Sequence, residues 1–156
     1  LDGGECAVGV ESTIINLSGE HPEILRHGAV TRKMLEEVLG CAIPDGGKDS
    51  PRVSGSLKSH YAPKTKVILC RDAAAECEKY HDKKIAVMAP KANLQSTPAN
   101  VIKWFDAPED ASEYMHILYL RLHELDRVGA DFILIETPPT GDAWNAVQDR
   151  LSRAAA

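Results

Sequence analysis

Glu11, Ser12 and Thr13 are three adjacent polar residues in a run, residues 7–17, that is otherwise rich in apolar and β-branched side chains. Such a run predicts a strand. Because strand side chains alternate between two faces, Ser12 would share a face with Val10, and Glu11 and Thr13 would lie on the other. Polar groups in a strand with apolar residues on both faces need hydrogen-bond partners. Two interpretations stay open: bonds to neighbouring backbone, or a ligand site built from these side chains.

Arg26 ends a second predicted strand, residues 23–26, and is followed by His27 and Gly28. A guanidinium group offers a rigid fork of N–H donors that suits a phosphate or a carboxylate. An arginine at a strand end can also be a surface residue or an ion-pair partner. The pattern alone leaves both interpretations open.

A long loop, residues 44–63, carries the next candidates. Its glycines and prolines interrupt any helical or strand periodicity, and loops of this length are usually functional segments or linkers. His60 and Tyr61 stand together near its end, with Arg52 and Lys58 upstream. A loop with aromatic and basic side chains could close over an anionic ligand.

A short helix is predicted between the two strands and this loop. Thr31 is a suitable N-cap for a helix over residues 32–39, and Gly40 a suitable stop. The helix carries apolar residues at helical spacing, which predict its buried face: Met34, Leu35 and Val38.

From residue 64 onward, strands alternate with helices. Strands are predicted at residues 67–69, 85–88, 101–105 and 132–135, and helices from residue 72, over 108–128 and over 142–154. This alternation indicates parallel crossovers and a three-layer α/β/α domain, Rossmann-like, with a mainly parallel sheet. We expect residues 64–156 to fold independently.

Composition and charge exclude several classes of protein. A net charge of −5 argues against a surface that is basic throughout and grips nucleic acid, although a local basic patch would still be compatible. No stretch reaches the ~20 apolar residues of a membrane helix. Neither a GxGxxG nor a GxxxxGK[ST] motif is present. The four cysteines match no zinc-site spacing, which favours a reducing, cytoplasmic setting. The chain starts at Leu1 rather than at a methionine, and we expect it to be part of a longer protein.

Four separate blocks, in this order, resemble the threonylcarbamoyl-AMP synthase family in its long, two-domain form, whose catalytic domain is of the YrdC type. They are residues 2–4 with residues 8–14, residues 24–31 (ILRHGAVT, where the family usually has ILRPGAIT), residues 51–63 and residues 143–155. His27 replaces the usual proline, and Arg52-Val53 replaces the Gly-Met found in many members. The resemblance covers essentially the whole chain.

The resemblance implies an activity and roles for matching residues. The family condenses L-threonine, bicarbonate and ATP into threonylcarbamoyl-AMP and releases pyrophosphate; a partner complex then modifies tRNA. Ser12 and Thr13 would line the threonine end of the pocket, and Arg26 would contact the ATP phosphates. Tyr61, with His60, would reach back over the nucleotide. Magnesium would accompany ATP, with no metal bound by this chain itself.

The same resemblance implies a division of the chain. Residues 1–43 would be the C-terminal end of the YrdC-type catalytic domain, residues 44–63 the interdomain linker, and residues 64–156 the C-terminal domain. We also expect residues 1–43 to be poorly ordered, or to pair with another copy through strand edges.

The main catalytic residues are expected upstream of Leu1. The family's ATP-binding Lys and Arg and its Ser-x-Asn motif have no counterpart in this sequence. No catalytic residue is therefore assigned within the chain, and we expect the fragment alone to be inactive.

The second domain leaves an alternative open. It can be a non-catalytic regulatory or binding module for a protein or RNA, including tRNA or double-stranded RNA, because it is an α/β unit without a nucleotide fingerprint. Ligands of such sheets bind at the carboxyl ends of the strands. The positions to watch are then Arg71, residues 89–91 and residues 137–141.

Overall fold

The computed structural model describes residues 4, 6–54, 62–91 and 96–156. Its elements are, in chain order, β1 (Ile14–Asn16), β2 (Glu23–Arg26), α1 (Arg32–Leu39), β3 (Lys66–Cys70), α2 (Ala73–Glu78), β4 (Ile85–Ala89), β5 (Val101–Asp106), α3 (Ala111–Asp126), β6 (Phe132–Glu136), a short 3-10 helix (Asp142–Trp144) and α4 (Asn145–Ala154). None of the described helices is long and apolar enough to cross a lipid bilayer.

Four strands form one parallel sheet in the order β3-β6-β4-β5. Helices α3 and α4 pack on one face, and α2 packs on the other. Every residue of β4 is buried, as expected for an inner strand covered on both faces. The predicted three-layer α/β/α fold with a mainly parallel sheet is confirmed.

The alternation of strands and helices has one exception. Strands β4 and β5 are parallel neighbours. The described residues between them, 90–91 and 96–100, contain no helix. The indole nitrogen of Trp104 in β5 donates to the carbonyl of Ala89, the last residue of β4, at 2.9 Å. This hydrogen bond links the two strands.

The long helix α3 is shorter than the predicted 108–128. It begins at Ala111 because the Asp110 carboxylate accepts hydrogen bonds from the N–H groups of Ser112 and Glu113, 2.9 and 3.0 Å away. The apolar residues at helical spacing in α3 are buried from Ala111 to Leu125. Val128, the next residue at this spacing and the end of the predicted helix, lies beyond α3 and is 36% exposed.

The predicted strand over residues 7–17 is wrong for most of its length, since only Ile14–Asn16 form β1. Gly9 has a positive φ of 76°, which breaks the strand alternation before Val10. A Cβ on Gly9 would lie 2.4 Å from the backbone of His116, so this segment rests directly on α3. Val10 is therefore buried in the core beneath α3 and α4.

Helix α1 has the predicted bounds and caps but not the predicted burial. The Thr31 hydroxyl accepts from the N–H of Met34, and Gly40 ends the helix in the left-handed conformation. No residue of α1 is buried: Met34 is 54% exposed and Val38 83% exposed. Of the predicted buried face, Leu35 is half-buried and Met34 and Val38 are exposed.

The N-terminal segment is attached to the α/β domain rather than loose. Strands β1 and β2 pair antiparallel with each other. The segment before β1 packs on α3 through Gly9, and side chains of the same segment bond to α3 and α4. The expectation that residues 1–43 are poorly ordered, or need a second copy for pairing, is replaced for the described residues by these contacts within the chain.

Candidate functional site

A polar cleft of about 650 Å³ lies between the β1–β2 hairpin, the start of the long loop and α4. Each of these three parts contributes basic side chains to the lining, which includes Arg26, Lys48, Arg52 and Arg153. The carboxylates of Asp45 and Asp149 also line the cleft. The cleft combines fixed cations with hydrogen-bonding groups. Such a surface suits an anionic ligand.

Arg26 is the best-defined side chain of the cleft and is only 8% exposed. Its Nε and Nη2 donate to the carbonyl of Ser12 at 3.0 and 2.9 Å, and its Nη1 donates to the carbonyl of Ser54 at 2.9 Å. The guanidinium therefore joins the segment before β1 to the loop. It is not an exposed surface group, its partners in these bonds are backbone carbonyls, and two of its five N–H groups remain after them.

Ser12 and Thr13 lie beside Arg26 but in different environments. Thr13 is half-buried, and its hydroxyl donates to the carbonyl of Val30 at 2.7 Å. Ser12 is exposed, and its carbonyl is the acceptor for Arg26. The structure thus brings Ser12, Thr13 and Arg26 together. For Thr13 it supports the interpretation of bonding to backbone.

Gly28 makes this close packing possible. A Cβ at Gly28 would lie 2.4 Å from the backbone nitrogen of Thr13 and 2.6 Å from the carbonyl oxygen of Glu11. The turn after β2 therefore lies flat on the backbone of residues 11–13. Any side chain at this position would push the Arg26 turn away from Ser12.

The first part of the loop extends the hairpin. The N–H of Ile24 donates to the carbonyl of Pro44, and the N–H of Gly46 donates to the carbonyl of Ile24. This gives a parallel bridge between Ile24 and Asp45. The prediction of a loop without strand character is therefore incomplete, because residues 44–46 act as a short third strand.

Two basic side chains contact the carboxylate of Asp45 beside the cleft. Its Oδ1 lies 2.7 Å from Nε2 of His27 and 2.6 Å from Nη2 of Arg32. Partial burial opposes ionisation, but the hydrogen bond from Arg32 and the charge of His27 outweigh it, so the pKa of Asp45 is lowered. His27, which stands where the family usually has proline, is thus held by a side-chain contact.

A buried junction connects the cleft to the α/β domain. Nε of Arg150 donates to Oε2 of Glu11 at 2.9 Å, and the hydroxyl of Tyr119 donates to the same oxygen at 2.9 Å. Burial opposes ionisation of Glu11, but its own backbone N–H and the bonds from Arg150 and Tyr119 outweigh it, so its pKa is lowered. Burial and the bond to Glu11 raise the pKa of Tyr119 to about 12, so the phenol stays a neutral donor.

Arg150 also contacts the turn after β2, since its Nη2 donates to the carbonyl of His27 at 3.1 Å. Sequence reasoning missed this role. A signal was present, because Arg150 occupies a position in the apolar stripe of α4, between Val147 and Leu151, where its side chain is only 4% exposed. An arginine in a buried stripe indicates a buried acidic partner.

Asp142 forms a second connection between the two parts of the chain. Its carboxylate accepts hydrogen bonds from the backbone N–H groups of Arg32 and Lys33, at 3.3 and 2.9 Å, at the start of α1. Burial opposes its ionisation, but these N–H groups, the Thr31 hydroxyl and the charge of Arg32 outweigh it, so the pKa of Asp142 is lowered. The segment before α4 thus caps a distant helix.

A family model for the C-terminal domain of threonylcarbamoyl-AMP synthase matches residues 30–156. This chain belongs to that family. The match includes the end of the turn after β2, the loop, the sheet and α4. Arg150 and Asp142 both lie inside the matched region, whereas Glu11 and His27 precede it.

Curated relatives named threonylcarbamoyl-AMP synthase match nearly the full chain. That of Schizosaccharomyces pombe is 31% identical over 180 residues, covering 99% of this chain and 44% of the relative. Those of Bacillus subtilis and Pyrococcus abyssi are 26% and 28% identical, each covering 99% of this chain and 48% of the relative. The chain therefore spans slightly less than half the length of these relatives.

Solved structures agree in fold. The crystal structure of P. abyssi Sua5 in complex with L-threonine matches with a TM-score of 0.79 and 29% identity, over 99% of this chain and 48% of that one. A variant of P. abyssi Sua5 with an adjacent histidine and tyrosine both changed to alanine matches with a TM-score of 0.76 and 27% identity.

The lid candidates His60 and Tyr61, and Lys58 upstream of them, lie outside the described residues. The main catalytic residues are expected upstream of Leu1, which also lies outside the described residues, so that expectation stays a prediction. Within the described ranges, no group of three or more His, Cys, Asp or Glu side chains could hold a metal ion. Of the site residues predicted from sequence, the described ones are Ser12, Thr13 and Arg26, and Arg26 bonds to the backbone of Ser12 and Ser54.

Proposed function

We propose that this chain is the C-terminal part of a cytoplasmic enzyme that forms threonylcarbamoyl-AMP from L-threonine, bicarbonate and ATP, with release of pyrophosphate. The product would then serve a tRNA-modifying complex for threonylcarbamoyladenosine formation. The observation that carries the proposal is the family match over residues 30–156. The polar, basic cleft around Arg26 supports it, because the substrates include a triphosphate and a carboxylate.

In this proposal Arg26 has two tasks. Three of its N–H groups hold Ser12 and Ser54 in place, and its remaining two donate to phosphate oxygens of ATP. Ser12 and Thr13 line the threonine end of the pocket. The Thr13 hydroxyl already donates its proton to Val30, so it would act on substrate as an acceptor. Magnesium would enter with ATP as part of the substrate.

His60 and Tyr61 would cover the nucleotide. Threonylcarbamoyl-AMP is a labile mixed anhydride, and excluding water from the site protects it from hydrolysis. The described residues on either side are anchored, since Ser54 bonds to Arg26 and the N–H of Thr65 donates to Asp126 at 2.7 Å. The adjacent histidine and tyrosine changed in the P. abyssi variant make the His-Tyr pair at 60–61 the first position to test.

We further propose that the chain needs the half of the family fold that would precede Leu1 for activity. It spans less than half of its relatives, and α1 presents apolar side chains to solvent. Met34, Val38 and Leu39 are 54, 83 and 41% exposed, which is unusual for one helix face of a finished domain. The preceding half would cover this face and supply the remaining ATP contacts.

The first experiment compares pyrophosphate release by two proteins: this chain alone, and the full-length polypeptide encoded by the same gene. Each is supplied with ATP, L-threonine, bicarbonate and magnesium. We expect release by the full-length protein and none by the chain alone. Absence of release by a folded full-length protein would refute the proposed activity.

A second experiment tests the role of Arg26 in the full-length protein. Arg26→Lys keeps a charge but loses the fork, so we expect the KM for ATP to rise about tenfold or more and the KM for threonine to change much less. Arg52→Lys, an exposed arginine lining the same cleft, is the matched control and should leave both constants nearly unchanged. Equal effects of the two variants on the KM for ATP would contradict the assignment.

The alternative is a regulatory or binding module for a protein or RNA in residues 64–156. It is favoured by a parallel sheet without a nucleotide motif. Titration of this chain with tRNA, double-stranded RNA and ATP separates the two functions. Tight tRNA binding together with an inactive full-length protein would favour the module.

A further inference from the structure

The contact between Arg26 and Ser12 is held from both sides by one further side chain. Ser12 follows Glu11 in the chain, and His27 follows Arg26. Nε of Arg150 donates to Oε2 of Glu11 at 2.9 Å, and its Nη2 donates to the carbonyl of His27 at 3.1 Å. A single guanidinium group of α4 therefore bonds to both chain segments, in each case at the residue next to their own contact.

The contact between these two segments is close and leaves little freedom. Nε and Nη2 of Arg26 donate to the carbonyl of Ser12 at 3.0 and 2.9 Å. A Cβ on Gly28 would lie 2.4 Å from the backbone nitrogen of Thr13, so the turn after β2 touches the other segment through backbone atoms. A shift of either segment therefore moves Arg26 relative to Ser12.

Arg150 itself is fixed by the α/β domain. Val147 and Leu151, its neighbours in the buried stripe of α4, belong to the core that α4 shares with α3. The side chain of Arg150 is only 4% exposed, and its Nη1 bonds to the carboxylate of Asp149. Its donors thus bind in three directions from a packed stem, which fixes both segments relative to α4.

Stability alone does not explain an arginine at this position. A buried ion pair adds little stability compared with apolar side chains of the same size, because desolvation of the two charges offsets most of their attraction. Glu11 also has a second donor, the hydroxyl of Tyr119 at 2.9 Å. What the guanidinium of Arg150 adds over an apolar side chain is a fixed direction for each segment, since hydrogen bonds are directional.

We propose that Arg150 is a positioning residue for the substrate cleft, through which the α/β domain sets the geometry of Arg26 and Ser12. Its bond to His27 orients Arg26 for the phosphates of ATP, and its bond to Glu11 orients the segment at the threonine end. Arg150 is not among the described residues that line the cleft, so it acts through these neighbours. This inference rests on the proposed function.

The kinetic test uses two substitutions of Arg150 in the full-length protein, at a temperature at which each variant is folded. Arg150→Lys keeps a charge that can reach Glu11 but lacks the group that bonds to His27. We expect the KM for ATP to rise about fivefold to tenfold and the KM for threonine to change by less than about twofold. Arg150→Met loses both bonds, and both KM values should rise about fivefold or more.

Val147→Ala is the control that separates positioning from stability. Val147 is fully buried beside Arg150 in α4, so its truncation leaves a cavity and should lower the thermal unfolding midpoint. It removes none of the bonds of Arg150. We therefore expect both KM values of the folded variant to stay within about twofold of those of the parent protein.

A second measurement needs no enzyme activity. The Nε–H group of Arg26 gives a resonance in two-dimensional NMR of the 156-residue chain, and its bond to the carbonyl of Ser12 slows its exchange with water. We expect this exchange to be about fivefold faster or more in Arg150→Met, because the two segments separate more often, and nearly unchanged in Val147→Ala.

Two results would overturn the proposal. One is a KM for ATP that Arg150→Lys and Arg150→Met change no more than Val147→Ala does, in an active full-length protein. The other is equal exchange of the Arg26 Nε–H group in Arg150→Met and Val147→Ala. A full-length protein without pyrophosphate release refutes the proposed function instead, and the exchange rates then still decide whether Arg150 positions Arg26.

Discussion

Arg150 shows how one side chain can connect two parts of a chain. It lies in the buried stripe of α4 and contacts the side chain of Glu11 and the backbone of His27. Glu11 precedes Ser12 in the segment before β1, and His27 follows Arg26 in the turn after β2. A buried guanidinium is stable only with hydrogen-bonding partners, so α4 and the two segments that carry Glu11 and His27 stabilise each other.

Arg150→Met keeps the length of the side chain and removes its charge and donors. It leaves the Glu11 carboxylate with its bond from Tyr119. We expect the unfolding free energy to fall by about 2–3 kcal/mol, below the full cost of breaking a buried pair because Glu11 is 24% exposed. Urea unfolding followed by circular dichroism measures it. Arg127→Met, at the exposed end of α3, is the control, and an equal loss there would contradict the argument.

At the scale of elements, α1 is a helix whose position is set from a distance. Its own sequence supplies Thr31 and Gly40 as caps. Its attachment to the α/β domain comes from Asp142, more than a hundred residues later, which bonds to the N–H groups of Arg32 and Lys33. A negative charge at a helix start is favourable, and here another domain supplies it.

Asp142→Asn should reveal this contribution through its pH dependence. The folded-state pKa of Asp142 is lowered, so its stabilisation is present above the unfolded pKa of 3.8 and is lost as pH falls through the folded value. We expect the variant to be less stable than the parent by about 1 kcal/mol at neutral pH. The difference should shrink as the pH falls below 3.8, as measured by urea unfolding.

The matched control for this pH experiment is Asp49→Asn, an exposed residue of the loop. It should leave the unfolding free energy nearly the same at neutral pH. If the deficit of Asp142→Asn instead stays constant as the pH is lowered through this range, the carboxylate charge is not what holds α1.

At the scale of the whole molecule, the parallel sheet and its helices carry the β1–β2 hairpin and α1. The parallel sheet has helices on both faces and a continuous core. The hairpin and α1 rest on that domain through Val10, Glu11 and the N-terminus of α1. The apolar face of α1 stays exposed, in keeping with the proposed preceding half.

Residues 64–156 should fold on their own, because the sheet and its helices keep their core when the hairpin is removed. We expect a cooperative thermal transition in circular dichroism, with a midpoint below that of the full chain, since Val10 leaves the core and Arg150 loses Glu11. A segment that lacks a cooperative transition would show that the hairpin is part of the folding unit.

The sequence by itself determined the α/β domain and most element bounds. Strand-length apolar runs, the caps Thr31 and Gly40, and the apolar spacing in α3 are local signals, and local signals survive in any tertiary context. The order of the family blocks also pointed to Ser12, Thr13 and Arg26, which the structure places side by side.

Tertiary structure decided what local patterns could not. Gly9 rests on α3 and breaks the predicted strand, because close backbone approach depends on a partner more than a hundred residues away. The apolar face of α1 is exposed because periodicity shows which side is apolar, not what covers it. Arg150 holds Glu11, and Asp142 holds the start of α1, through long-range bonds that only the folded chain brings within reach.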